Sequence, residues 1–283
     1  MCEDAIVRSL LPFLVLLAGC ATSVSVDEDS GTPIVEAGKD VSVLPDAGKP
    51  DTAFDFDASV DAGVDASPPV EAGLDAGSGV AVLKLNEVNP NITGALDLIE
   101  LRAATAGSTV GITVEQDITS KTILATLPAI TVAVGDFIVV HLTPPVGVQN
   151  ETSSKTSCAN AACYPGAFDV AGSANGITYS GRVLVVRAPS STILDGASFF
   201  RSSAVSPAGF SGELMALQTA GHWLPANCNG NPCNSVTLAE GVSADWNATG
   251  TVATGASIAR KGNADTDKAA DWIVGQNTFG ATN

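Results

Sequence analysis

From Val82 onward the apolar residues of this chain come in short runs, broken by glycine, proline and aspartate. The runs are Val82-Leu83-Lys84-Leu85, Leu98-Ile99-Glu100-Leu101, Ile112-Thr113-Val114, Phe137-Ile138-Val139-Val140 and Val183-Leu184-Val185-Val186. β-Branched valine, isoleucine and threonine dominate, and their stiff side chains suit a pleated strand. No long stripe at 3.6-residue spacing competes with them. Gly135-Asp136 and Asp195-Gly196 read as turns between strands. Residues 80–283 are long enough for one sizeable core. The patterning predicts an all-β sandwich or barrel.

The chain ahead of residue 80 is of another kind. Leu10 to Leu17 read L-L-P-F-L-V-L-L, followed by Ala18, Gly19 and Cys20. That apolar stretch is too short to span a bilayer as a helix, and it ends in small residues, the pattern of a cleaved export signal over 1–19. The ending L-A-G-C resembles the lipobox of bacterial lipoproteins. The resemblance implies a peptidase cut before Cys20, lipid on its thiol and new amino group, and membrane attachment through that lipid. Ala21 stands where the lipoprotein family often carries aspartate for inner-membrane retention, so the resemblance implies the outer membrane. Glu3 and Asp4 are out of place in a basic leader, and translation from Val7 accounts for them.

Between residues 20 and 79 short acidic units recur, among them Glu36-Ala37-Gly38, Asp46-Ala47-Gly48, Asp61-Ala62-Gly63 and Asp75-Ala76-Gly77. Such a tract has too little bulky apolar surface to offset the entropy of folding, and its charges repel one another. It is expected to be a disordered tether with a reach of about 40 Å. It holds 13 acids against two lysines, which is most of the net charge of −17. The remainder, 81–283, is only mildly acidic. No nucleic-acid partner is expected, because phosphate contacts need clustered cations.

Within 80–283, L-K-L-N-E-V-N-P-N from Leu83 to Asn91 and D-L-I-E-L from Asp97 to Leu101 resemble the opening of a lamin-tail domain. The segments Ala129–Leu142 and Arg182–Phe199 resemble its central strand pair and later hairpin, the latter with Asp195 and a buried aromatic. Ala256–Lys261, Asp265–Trp272 and Thr278–Asn283 resemble its closing segment, with Phe279 where the family carries proline. The resemblance implies an immunoglobulin-like β-sandwich and, for bacterial members, an extracellular binding or adhesion role. Stretches 143–176 and 201–250 interrupt the pattern. They are expected to be loop insertions that short glycine loops can replace while the sandwich stays folded.

Each insertion carries a C-x-x-x-x-C pair, Cys158 with Cys163 and Cys228 with Cys233. An even cysteine count in an exported domain points to disulfides, favoured here within each short loop. A four-cysteine zinc site is the alternative. Tyr164, Phe168, His222 and Trp223 lie in or beside these loops and are the candidate partner contacts, with packing beneath the insertions as their other reading. His141 ends a strand pattern and is expected to be half-exposed there.

Catalytic motifs are scarce. His222 has no spaced metal partner. Ser211 lacks the G-x-S-x-G register and reads as a turn residue. Glu87 and Glu100 can face each other across neighbouring strands, but paired acids need a cleft and a perturbed pKa for glycosidase chemistry. Asp265, Asp267 and Asp271 are weak calcium candidates without EF-hand spacing, and turn-capping is the favoured role. No cofactor is expected. The expected function is therefore a non-enzymatic, lipid-anchored module that binds an envelope or extracellular protein or polysaccharide. A hydrolase built from the insertions and a passive envelope structural protein are the alternatives.

Overall fold

The computed structural model describes residues 79–283 apart from Ala95 and Ala253. The expected signal segment 1–19, the lipidation site Cys20 and the tether as far as residue 78 lie outside the described residues. Among the described residues no helix is long and apolar enough to cross a membrane.

The strands follow in chain order as β1 (Val82–Asn89), β2 (Leu98–Thr105), β3 (Gly107–Ser108), β4 (Thr113–Gln116), β5 (Thr122–Thr126), β6 (Thr131–Val132) and β7 (Phe137–His141). After them come β8 (Ala167–Ala171), β9 (Arg182–Arg187), β10 (Ile193–Phe200), β11 (Ala244–Asp245), β12 (Ala256–Arg260) and β13 (Trp272–Gln276). Helices α1 (Phe210–Thr219) and α2 (Val236–Glu240) interrupt the strands, and a 3-10 turn covers Ala269–Asp271. One sheet has the order β13-β12-β1-β2-β7-β8, the other β11-β10-β9-β4-β5, and β3 pairs with β6 as a short ribbon. The expected all-β sandwich is the observed fold.

Both sheets are antiparallel except at one edge. β8 joins β7 in parallel, and β11 joins β10 in parallel. Parallel neighbours need a long crossover rather than a hairpin. The stretches 143–176 and 201–250 supply those crossovers and the edge strands themselves. This corrects their reading as loop insertions: they complete the sheets. Ser173, just after β8, donates its N–H to the carbonyl of Leu124 in the middle of β5, and Trp246 of the second crossover stacks on Phe199 of β10, whose ring meets Trp272 on β13 edge-on at 4.9 Å. The two crossovers therefore close opposite edges of the sandwich.

A register shift between Leu85 and Glu87 shapes the central strand. The extra residue lets Leu83, Leu85 and Val88 all reach the inter-sheet core, opposite Ala103, Leu101 and Ile99. It also turns Glu87 outward, directly across from Glu100. From the other sheet Val114, Leu184, Val186 and Phe199 join the same core. Burying these side chains contributes roughly 1.5–3 kcal/mol each.

The continuous run Val183–Val186 has its own explanation. A strand reads apolar at every position when both its faces are covered. Here α1 covers the outer face of β9 and β10, inserting Phe210, Leu214 and Leu217 at helical spacing. Gly196 sits in the middle of β10, not in the turn expected for Asp195-Gly196. An added Cβ there would come within 2.4 Å of Leu217 Cδ1, so the missing side chain admits the helix. Gly135, by contrast, does occupy a turn, with φ +88°.

Candidate functional site

The first crossover is organised by buried acids. Glu151 is 1% exposed and accepts the N–H of Cys158 at 2.7 Å and of Asp169 at 2.9 Å. Asp169 accepts the N–H of Tyr164 at 2.9 Å, and His141 Nε2 lies 2.6 Å from its other oxygen. The loop closed by the Cys158–Cys163 disulfide is thereby fixed onto β7 and β8. His141 is buried, not half-exposed: it points outward from β7, but the Tyr164 ring stacks over it at 6.0 Å. Phe168 is also buried, in the inter-sheet core, with the Lys155 ammonium 5.4 Å from its ring centre. Beside this disulfide lies an open groove of about 200 Å³, lined by Lys155, Thr156, Cys158, Asn160, Cys163 and Pro165.

The second crossover is built around α1. Glu213 on its first turn accepts the N–H groups of Ile118, Thr119 and Ser120 at 2.6, 2.7 and 3.0 Å, tying the helix to the β4–β5 turn. Burial acts to raise this carboxyl, but the Thr119 hydroxyl and the backbone donors outweigh it and hold it below its usual range. Ser211 lies in this same helical turn, not in a loop. Trp223 is 1% exposed and donates its indole N–H to the carbonyl of Val242 at 3.0 Å. Its role is packing, which corrects the contact role proposed for it, as burial does for Phe168. Tyr164 and His222 keep partly exposed side chains.

The Cys228–Cys233 disulfide closes the loop facing α1. Between loop and helix runs a groove of about 340 Å³, lined by Met215, Gln218, Thr219, Ala226, Asn227, Asn231 and Pro232 among others. Gln218 donates to the carbonyl of Pro225 at 2.7 Å, which holds the groove wall to the helix. Both cysteine pairs are thus disulfides, and neither is a zinc site. Cys163, His141 and Asp169 come close enough to share a metal, but the disulfide removes the thiolate that a metal needs.

The acids that resemble a catalytic pair are sealed. Glu87 accepts the N–H and the hydroxyl of Thr278, both at 2.8 Å, and the Ser257 hydroxyl at 2.5 Å. Glu100 accepts the Gly280 N–H at 2.5 Å and the Asn86 amide at 2.6 Å. Burial pushes Glu100 up to about 8, with the neighbouring Glu87 charge adding to it. Phe279, its ring tilted against Tyr164 at 5.5 Å, covers the same face. The perturbed pKa is present and the cleft is not.

Asp265 is engaged by Lys84 at 2.9 Å and by Arg260, while Asp271 accepts the N–H and hydroxyl of Thr266 at 2.7 and 2.8 Å. The structure does not bring the three calcium candidates together as ligands; Asp271 caps its own turn. Asp195, Asp265 and Asp267 do converge, yet Arg260 already binds both oxygens of Asp195 at 3.0 and 2.9 Å. Burial would lower the Arg260 guanidinium, but Asp195 and Asp265 outweigh it and hold the cation firmly charged. Sequence reasoning missed Glu151, Asp169 and Glu213. A lone acid inside an apolar strand, as in Ala167-Phe168-Asp169-Val170-Ala171, was the available signal.

Two disulfide-closed crossovers, each framing an open groove at a different edge of an all-β sandwich, define the class. Residues 81–274 match the model of a family described as "protein second domain". That span is well over half of the chain, and the chain belongs to this family. No curated protein matches it.

Proposed function

We propose that this chain is a lipid-anchored lipoprotein of the cell envelope, held at the outer membrane through Cys20, whose β-sandwich binds a partner without turning it over. One observation carries the reading. The buried acids and His141 are spent on the chain's own backbone and side chains, while the open concavities lie beside the two disulfides. Stiffened loops lose less entropy on binding, which suits recognition. The partner chemistry that fits is an envelope or extracellular protein or polysaccharide, met by Gln218, Asn227 and Asn231 in the larger groove, with the partly exposed His222 and Tyr164 as further contacts. The segments that resemble a lamin-tail domain coincide with β1, β2, β7, β9, β10 and β12, which supports that resemblance as the family reading. Fold analogy alone would not carry function.

The test joins capture to a turnover screen. The lipidated chain, cross-linked on intact envelope, is expected to capture a discrete partner, and Ala226→Trp, which fills the larger groove, is expected to abolish capture. The purified chain is expected to leave peptide, ester and glycoside substrates intact with and without calcium. Turnover of any of them, or capture unchanged by both Ala226→Trp and Thr156→Trp, overturns the reading. Cys20→Ser is expected to release the chain from membranes; retained lipid labelling in that variant refutes the anchor.

A further inference from the structure

Away from both grooves, β1 and β2 bring two cations face to face. Lys84 and Arg102 are direct cross-strand partners, and like charges so placed destabilise a sheet unless something neutralises them. Lys84 is neutralised: its ammonium lies 2.9 Å from Asp265 and 3.6 Å from Asp195. Arg260 is matched to the same two acids. Arg102 is left over. Every other described arginine has a protein acceptor: Arg182 bonds the Gly181 carbonyl, Arg187 bonds Glu115, Arg201 bonds Ser203 and Arg260 bonds Asp195. Arg102 has none, and its Nε is enclosed without a partner. Asp136, at the neighbouring turn, is taken by Lys155 at 2.7 Å.

The unpaired guanidinium lines a cavity. Lys84, Asn86, Arg102, Ala104, Arg260, Asn263 and Asp265, the last held by Lys84 and Arg260, are among the residues around a recess of about 130 Å³. A narrower recess shares Asn86, Arg102 and Asn263 with it and runs on toward Asn283. Lys84 and Arg260 are matched by the converging Asp195, Asp265 and Asp267, so Arg102 is the one cation of the three here without an acidic partner of its own. A planar fork of donors matches a carboxylate in two parallel hydrogen bonds. The volume suits one small charged group with a short body behind it, seated on Ala104.

We infer that Arg102, flanked by Lys84 and Asn263, is a binding site for a carboxylate-bearing ligand, separate from the two disulfide-framed grooves. The probes are D-glucuronate, acetate, sulfate and, as the uncharged control, D-glucose, titrated calorimetrically into the full chain at low salt. Saturable binding of glucuronate or acetate with none of glucose is expected. Glucuronate tighter than acetate assigns the carboxylate to a sugar acid, and equal affinities assign it to the carboxylate alone; both support the site. Arg102→Gln is expected to weaken carboxylate binding at least about tenfold, because it removes a charged, bidentate donor. Asn263→Asp lies on an exposed turn, leaves the strands untouched and is expected to weaken binding by placing a like charge at the mouth. It decides the matter even if Arg102→Gln fails to fold. Absence of saturable carboxylate binding, equal binding of glucose, tighter binding of sulfate, or affinity unchanged in Asn263→Asp overturns the inference.

Discussion

Glu87 and Glu100 stand directly opposite each other on β1 and β2, and both are committed to the chain's own C-terminal segment. Two acids side by side on one sheet face repel unless something separates or protonates them. Thr278 and Gly280 supply backbone donors, Ser257 and Asn86 supply side chains, and burial does the rest by holding a proton on Glu100. The pair is a clasp for the tail.

That clasp makes stability depend on pH in a definite direction. The Glu100 carboxyl is raised from 4.5 to about 8 in the folded chain. The folded state therefore holds a proton that the unfolded state has released. Its contribution is fully present below about pH 4.5 and is lost progressively as pH rises from there through about 8, on the order of 5 kcal/mol at most. Glu115, Glu213 and Asp265 are shifted the other way, so their contribution is lost on acidification. Urea unfolding from pH 5 to 9 is expected to show falling stability toward the alkaline end. In Glu100→Gln that alkaline slope is expected to flatten; an identical slope in both proteins would show that Glu100 carries no extra proton.

The tail also depends on a close backbone approach. A Cβ on Gly166 would lie 1.9 Å from the Gly280 carbonyl oxygen, and Gly280 itself has φ +80°. Gly166→Ala is expected to push the tail off the sheet at a cost of about 1–3 kcal/mol. Solvent would then reach Glu87 and Glu100, so the alkaline slope should shrink along with the midpoint. Gly212→Ala is the control, because its Cβ meets nothing within 4 Å and alanine suits a helix. Loss of stability in Gly166→Ala with the slope unaltered would place its effect elsewhere than the clasp.

How far the fold was legible follows from which forces act locally. The strands at Val82, Leu98, Phe137 and Val183 announced themselves through apolar runs, and the two disulfides through the short, even spacing of their cysteines. Glu87 facing Glu100 was legible as a possibility, because strand alternation sets it. The cover over them was not, since Thr278 lies far along the chain and its hydrogen bonds are long-range. Gly196 misled for a physical reason: Asp-Gly favours turns, but here the glycine yields space to Leu217 and Asp195 turns toward Leu85 and Arg260. Helix α1 was hidden because Phe210, Leu214 and Leu217 make a single two-turn repeat, blurred by the neighbouring apolar Met215 and Ala216. Arg102 gave no sign at all, since an unpaired cation looks the same as a paired one until the neighbours are placed.

The second crossover supplies the last prediction. If 201–250 were an added loop, its apolar residues would pack among themselves and removal would leave the sandwich standing. Instead Leu217 presses on Gly196, Trp223 is fully enclosed, Trp246 stacks on Phe199 at 4.2 Å, and Glu213 holds the β4–β5 turn. Leu217→Ala is therefore expected to cost about 2–5 kcal/mol, in the range for a buried leucine whose site cannot collapse. Replacing 201–250 by a glycine linker is expected to prevent folding of the rest. Opening Cys158–Cys163 by a double serine substitution should cost only about 2 kcal/mol, because the loop it closes is short and already held by Glu151. Opening Cys228–Cys233 should cost more, since Cys233 is 0% exposed and a serine hydroxyl there would be buried. Denaturant midpoints of the four variants give the order, and a Leu217→Ala midpoint matching the parent would mean that α1 is dispensable to the sandwich.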